Sequence, residues 1–184
     1  MSESTHTPQP IAPTPDYRIT WLSAHRDLGP TLAAWHYDAF RHYVPNWSVA
    51  AAAAELASHR LHDLPCTLVA IDTAGEPLGS VSLLVEDPPG GPEHAPWLAN
   101  FFVRPDLRGR GIGRALMQRA SSEAFDMGHG YLHLWTRDQA PYYERHGWER
   151  VGVVRLPVGP AILMRTRTHP NAPEPELAAE DAEP

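Results

Sequence analysis

The chain has no lysine among its 184 residues, and that absence removes one class of phosphate chemistry. A Walker loop needs a lysine to reach the outer phosphates and a Ser or Thr for the metal, so nucleoside triphosphate hydrolysis of that type is excluded. The single cysteine, Cys66, rules out an internal disulfide and makes a reducing compartment the expectation. It precedes the apolar run Thr67 to Ile71 and reads as a buried thiol rather than a nucleophile. Neither a signal peptide nor a membrane-length apolar stretch is seen, so no membrane partner and a cytoplasmic location are expected. The 11 histidines form no metal-like cluster. His129 and His133 are four apart, but they straddle Gly130 and an apparent strand, so no metal is expected there.

Apolar residues and acids are unevenly spread. Residues 1–15 carry Pro8, Pro10, Pro13 and Pro15 with little to bury, and residues 168–184 combine four prolines with five acids. Both are expected to be disordered tails, which leaves residues 16–167 as a single domain. The formal charge of −7 is largely a property of the tail. The core balances its acids against its arginines, which gives no reason to expect nucleic-acid binding.

The strongest local signal runs from Phe101 to Leu116: an apolar strand, a turn holding Gly109, Gly111 and Gly113, and then a helix. Glycines can take backbone angles closed to other residues and bring main-chain N–H groups close to a ligand. The helix start adds unpaired N–H groups and the positive end of its dipole, so the segment suits a pyrophosphate. Arg104, Arg108, Arg110 and Arg114 crowd around it. The dinucleotide spacing GxGxxG is a poor match, because these glycines read GxGxG and lie in mid-chain.

What remains is Arg108-x-x-Gly111-x-Gly113 after a strand ending Val103-x-Pro105, and this resembles the acyl-CoA loop of the GNAT superfamily of N-acetyltransferases. The resemblance extends to Tyr142-Tyr143-Glu144-Arg145-His146-Gly147-Trp148, which is similar to the family's late tyrosine helix and the Gly-aromatic step after it. It implies a GNAT-type α/β fold: a mixed central sheet, splayed at the cofactor strand and flanked by helices, with the pantetheine arm of acetyl-CoA in the gap. It places cofactor contacts at Phe101, Val103, Arg108, Gly109, Gly111, Ile112, Gly113 and Arg114. The general acid falls on Tyr143, four residues before Gly147, where a phenol is matched to protonate a departing thiolate. Tyr142 takes a position usually held by a buried Phe or Leu. The implied activity is acetyl transfer from acetyl-CoA to an amine of a small molecule or a peptide N-terminus, with a homodimer left open. A CoA-binding module without turnover, and an interaction domain whose glycines only make a turn, stand beside it.

The pattern of apolar residues supports the same architecture. Strands are expected at 17–22, 67–71, 78–85, 97–103, 131–135, 148–154 and 161–167, and helices at 27–43, with Leu28, Leu32, Trp35 and Ala39 on its apolar rhythm, after Ser48, from 112 to Gly128, and at 139–145. The proline-rich stretch 87–96 must be a loop. Many family members carry an acid three or four positions before the Val of Val-x-Pro. Those positions here are Asn100 and Ala99, which leaves the base open among Glu86, Asp87, Glu93, His94 and a water chain. Trp35, His36, Tyr37, His42, Tyr43, Trp47 and His59 make the N-terminal helices rich in rings, and those helices are expected to wall the acceptor. Thr136-Arg137-Asp138-Gln139 is reminiscent of members that acetylate protein N-termini. The acidity that Glu86, Asp87 and Glu93 supply reads as modest.

Overall fold

The computed structural model describes residues 16–88 and 91–172. The N-terminal tail expected at 1–15 and most of the C-terminal one lie outside those residues. Seven strands, β1 (Tyr17–Trp21), β2 (Cys66–Asp72), β3 (Pro77–Leu84), β4 (Trp97–Val103), β5 (Tyr131–Thr136), β6 (Glu149–Leu156) and β7 (Gly159–Arg167), form one sheet in the order β1-β2-β3-β4-β5-β7-β6. Four α-helices, α1 (Gly29–Phe40), α2 (Val49–Ser58), α3 (Ile112–Asp126) and α4 (Ala140–Glu144), pack around it. All neighbouring strands run antiparallel except β4 and β5.

Period-two alternation sends the side chains of β2 to two different cores. Leu68 and Ala70 face α3, where Ile112, Leu116 and Ala120 bury one stripe of the helix, while Val69 and Ile71 join Leu32, Ala33 and Leu56 under α1 and α2. α1 is rotated relative to the sequence expectation. Its buried face is Leu32, Ala33 and His36, and Trp35 is only half buried, packed on Phe102 with ring centres 5.3 Å apart. The cause lies in β3, whose Ser80 and Ser82 turn toward α1 and α2 and are fully buried. A purely apolar helix face would leave those hydroxyls unsatisfied. His36 Nε2 lies 2.8 Å from Ser80 Oγ, and His59 Nδ1 lies 2.6 Å from Thr67 Oγ1, which is itself 2.8 Å from Ser82 Oγ.

α2 begins as its sequence predicts, with the Ser48 hydroxyl accepting from the Ala51 N–H at 3.1 Å. At the far end of the chain, packing continues past the boundary expected at 167. Thr168 and Ala172 are both buried, and the Thr168 hydroxyl donates to the His129 carbonyl at 2.7 Å.

Two features of β4 create the site. Its register against β5 is a single pair, Trp97 with His133, so from Leu98 onward the two parallel strands part. Against β3, the pairs Ser80–Phe102 and Ser82–Ala99 leave two residues of β4, Asn100 and Phe101, opposite one of β3. That is a β-bulge, and Asn100 sits in it at φ +49°, a left-handed angle that asparagine tolerates better than most residues.

Candidate active site

The Gly-rich segment after β4 forms the turn its composition predicts. Gly109 and Gly111 have φ of +76° and +83°, and Gly111 is the left-handed residue from which α3 starts. Gly113 serves a different purpose. A Cβ placed there would lie 3.1 Å from the tip of the Phe101 ring and 3.1 Å from the Tyr142 hydroxyl, so glycine keeps the first turn of α3 close to β4 and α4. Arg108 folds back over the strand, its Nε donating to the Val103 carbonyl at 3.1 Å and its guanidinium lying over the Phe102 ring. Arg104 is paired with Asp106, and Arg110 donates to the Asp106 carbonyl. The arginines nearest the glycines therefore stabilise the loop as well as adding positive charge to it.

A groove of about 720 Å³ opens between this turn, β4 and α4. Phe101, Val103, Arg108, Gly109, Gly111, Ile112, Gly113 and Arg114 all line it, joined on the opposite side by Tyr142, Tyr143 and His146. The structure thus brings every expected cofactor residue to one groove. Main-chain N–H groups at a helix start, a positive turn and a sheet gap fit a pyrophosphate followed by a narrow amide-bearing arm.

A second cavity of about 440 Å³ lies beyond β4, between the C-terminal end of α1, α2, the loop after β3, and the segment joining β5 to α4. Phe101, Phe40, Gln139 and Tyr143 line both spaces. Tyr143 therefore stands where they meet. Its ring packs edge-on against Tyr142 and Trp148, and burial, helped by Tyr142 and Asp138, holds its phenol well above the ordinary range. It stays protonated at any working pH.

Of the seven rings expected to wall the acceptor, only Tyr43 and Trp47 do so, with Phe40 and Trp135 joining them. His36 and His59 are instead buried in the polar layer between β3 and the helices. Of the four side chains proposed as base, Glu86 and Asp87 line the cavity and Glu93 and His94 do not; Glu93 is exposed and pairs with His94 at 3.2 Å. Asp87 is the distinctive one. Burial first, and the nearby Glu55 carboxylate second, push its carboxyl up to about 7, while the Trp135 indole pulls it part of the way back. That indole N–H also donates to the Asp87 backbone carbonyl at 3.3 Å.

Glu55 escaped the sequence reading. Burial raises its carboxyl, opposed by the Asn100 amide, which donates to Glu55 Oε1 at 3.0 Å. The signal was present: Ala52, Leu56 and His59 are the buried positions of α2 and its end, and Glu55 shares their face at helical spacing. A lone carboxylate on a buried helical face is a functional pointer. With Glu55 added, the cavity carries Glu55, Glu86, Asp87 and Asp138 against Arg137, so it is more acidic than the sequence suggested. Among the described residues no group of three or more His, Cys, Asp or Glu is arranged to hold a metal ion. Cys66 is fully buried, its thiol pushed up to about 12 by that burial.

The family model of the GNAT acetyltransferases matches residues 30–148, from α1 through both cavities to Trp148. The chain belongs to the GNAT acetyltransferase family. Acetyl-CoA is accordingly its co-substrate. Solved structures share the GNAT fold over more than four fifths of the chain. An aminoglycoside 6′-N-acetyltransferase complexed with coenzyme A superposes with a TM-score of 0.68 at 18% identity, covering 85% of this chain and 99% of that one. A GCN5-related N-acetyltransferase from Kribbella flavida gives 0.64 at 20% identity, covering 82% and 97%. A spermidine N-acetyltransferase mutant from Vibrio cholerae gives 0.62 at 15% identity, covering 83% and 94%. None of the curated proteins compared with the chain matches it.

Proposed function

We propose that this GNAT domain transfers an acetyl group from acetyl-CoA to a primary amine, of a small molecule or a peptide N-terminus, by direct attack while both substrates are bound. The observation that carries the reading is the meeting of two cavities at Phe101 and Tyr143, one lined by the glycine turn and the other by carboxylates and rings. Acetyl-CoA supplies the thioester; the rest of the chemistry is assigned to the chain. Beyond Trp97 the side of β4 facing β5 has no registered partner, which frees main-chain groups to hold the pantetheine amides and polarise the acyl oxygen. The acceptor ammonium first gives one proton to solvent to become the nucleophile, and Asp87 takes the second, which the nitrogen sheds as it acylates. As the new C–N bond forms and the C–S bond breaks, Tyr143 gives its phenol proton to the departing sulfur. Exchange with solvent then returns a proton to Tyr143 and removes one from Asp87.

A carboxyl near 7 is a better base than an ordinary aspartate, because it is about half ionised at neutral pH and binds the incoming proton more strongly. The acidic, ring-lined cavity supports a small cationic amine as acceptor. So do the similar folds whose names specify aminoglycoside and spermidine acetylation. The test is a panel of amines assayed for release of the CoA thiol. Saturable turnover on cationic amines, lost in Asp87→Asn and sharply reduced in Tyr143→Phe, is expected. Tight acetyl-CoA binding with no thiol release across the panel would overturn catalysis in favour of a silent CoA-binding module.

A further inference from the structure

Asn100 belongs to a polar line that the amine cavity alone does not explain. Starting inside the domain, His59 Nδ1 is 2.6 Å from Thr67 Oγ1, Thr67 Oγ1 is 2.8 Å from Ser82 Oγ, and the Asn100 amide reaches Ser82 Oγ at 3.4 Å and Glu55 Oε1 at 3.0 Å. The line joins β2, β3, the bulge of β4 and α2, and it ends at a carboxylate on the cavity wall. His59, Thr67 and Ser82 are all buried. Of their side-chain polar atoms only His59 Nε2 lacks a hydrogen-bond partner, and a buried network connected in this way fixes geometry.

The bulge is what lets the line reach the cavity. The bulge and its left-handed φ lift Asn100 out of the regular alternation of β4. Without them its amide would not be free to span Ser82 and Glu55.

We propose that Glu55 is a positioning residue of the acetyl transfer: Asn100, backed by Ser82, Thr67 and His59, fixes its carboxylate in the wall of the cavity that Asp87 also lines, and it acts through Asp87. The assignment rests on Asp87 as the base in the function proposed above. A fixed neighbouring carboxylate disfavours charge on Asp87, so Asp87 binds a proton more tightly than it would alone. The other titratable or charged groups around the cavity are Tyr43 beyond α1, Glu86 beside Asp87, Arg137 and Asp138 before α4, and Tyr143 on α4. Among the described residues none of these is joined by a hydrogen-bonded line of this kind to the interior.

The experiment follows the Asp87 carboxyl itself, in protein with ¹³C-labelled aspartate carboxyls, its resonance assigned by its absence in Asp87→Asn. In Glu55→Gln the titration midpoint of Asp87 falls by about one pH unit or more. In Asn100→Gly, which keeps the left-handed backbone and deletes the amide, it falls in the same direction by less. The acidic limb of kcat/KM moves with it in both variants, while acetyl-CoA affinity stays within about twofold because neither residue lines the cofactor groove. An Asp87 midpoint unmoved in folded, CoA-binding Glu55→Gln overturns the proposal, whatever the base. A midpoint that falls while the kcat/KM limb stays put sustains the coupling and removes Asp87 as the base.

Discussion

Tyr143 and Gly113 place different demands on the site. In the proposed reaction Tyr143 gives a proton to the sulfur, and its raised phenol would keep that proton in place until the thiolate forms. In Tyr143→Phe, kcat is expected to fall about 10²-fold, the lower end of what a positioned acid supplies, with acetyl-CoA affinity unchanged. Equal turnover with chemistry shown to limit the rate would remove the acid role. For Asp87 the sign is worked out from its ionised form. It accepts a proton only when charged, so kcat/KM should rise with pH through a midpoint near 7, and that limb should vanish in Asp87→Asn. At this scale the glycine turn was legible from sequence because it needs glycines at a local spacing, whereas Asp87 was only one of four candidate side chains, because nothing in its local sequence says which of them reaches the cavity. Glu55 was missed because its importance depends on Asn100, far away in the chain, reaching it across a bulge.

Helices and strands meet through a polar layer as well as two apolar cores. Burial pushes His36 down to about 3 and His59 down to about 4, from an ordinary 6.5, so both are neutral in the folded protein. Between pH 6.5 and the folded values the unfolded chain binds protons at these positions that the folded chain does not. Stability is therefore full above about 6.5 and is lost as pH falls, by up to about 1.4 kcal/mol per pH unit for each histidine. Asp87 and Glu55, both raised, have the opposite sign and offset part of the slope. Urea midpoints should drop clearly from pH 7 to pH 5, and the drop should shrink in His36→Gln. Equal midpoints at the two pH values would contradict the buried neutral layer. The rotated α1 explains why the apolar rhythm read from sequence was incomplete. Leu28 and Leu32 were on the buried face, but His36 occupied the place expected of Trp35 because Ser80 of β3 required a polar partner. Strand periodicity gave β4 its full span, and β2 and β3 to within a residue at each end, but a Ser-x-Ser alternation inside an apolar run is easily read as core.

Across the whole molecule, function follows from one interruption in a sheet. The parting of β4 and β5 after Trp97–His133 opens the sheet where the glycine turn, α3 and α4 converge, and the bulge at Asn100 and Phe101 lies where the groove and the second, acidic cavity meet. The mixed sheet and its flanking helices were legible because the family motifs fix both the turn and the tyrosine helix. The sheet opening was implied by that resemblance alone, since no periodicity in β4 or β5 records where two strands stop pairing. The acceptor cavity was less legible still, because it is assembled from six separate segments and only the fold decides which of their polar residues point together. The central claim, that the groove holds acetyl-CoA, is tested most directly by calorimetric titration of the protein and of a folded Gly111→Val/Gly113→Val variant. Valine at 111 must adopt a φ of +83°, and at 113 its Cβ lies 3.1 Å from Phe101 and Tyr142. The account predicts saturable one-to-one binding to the native protein and binding at least about tenfold weaker in the variant. No binding to the native protein, or equal binding to both, would contradict it.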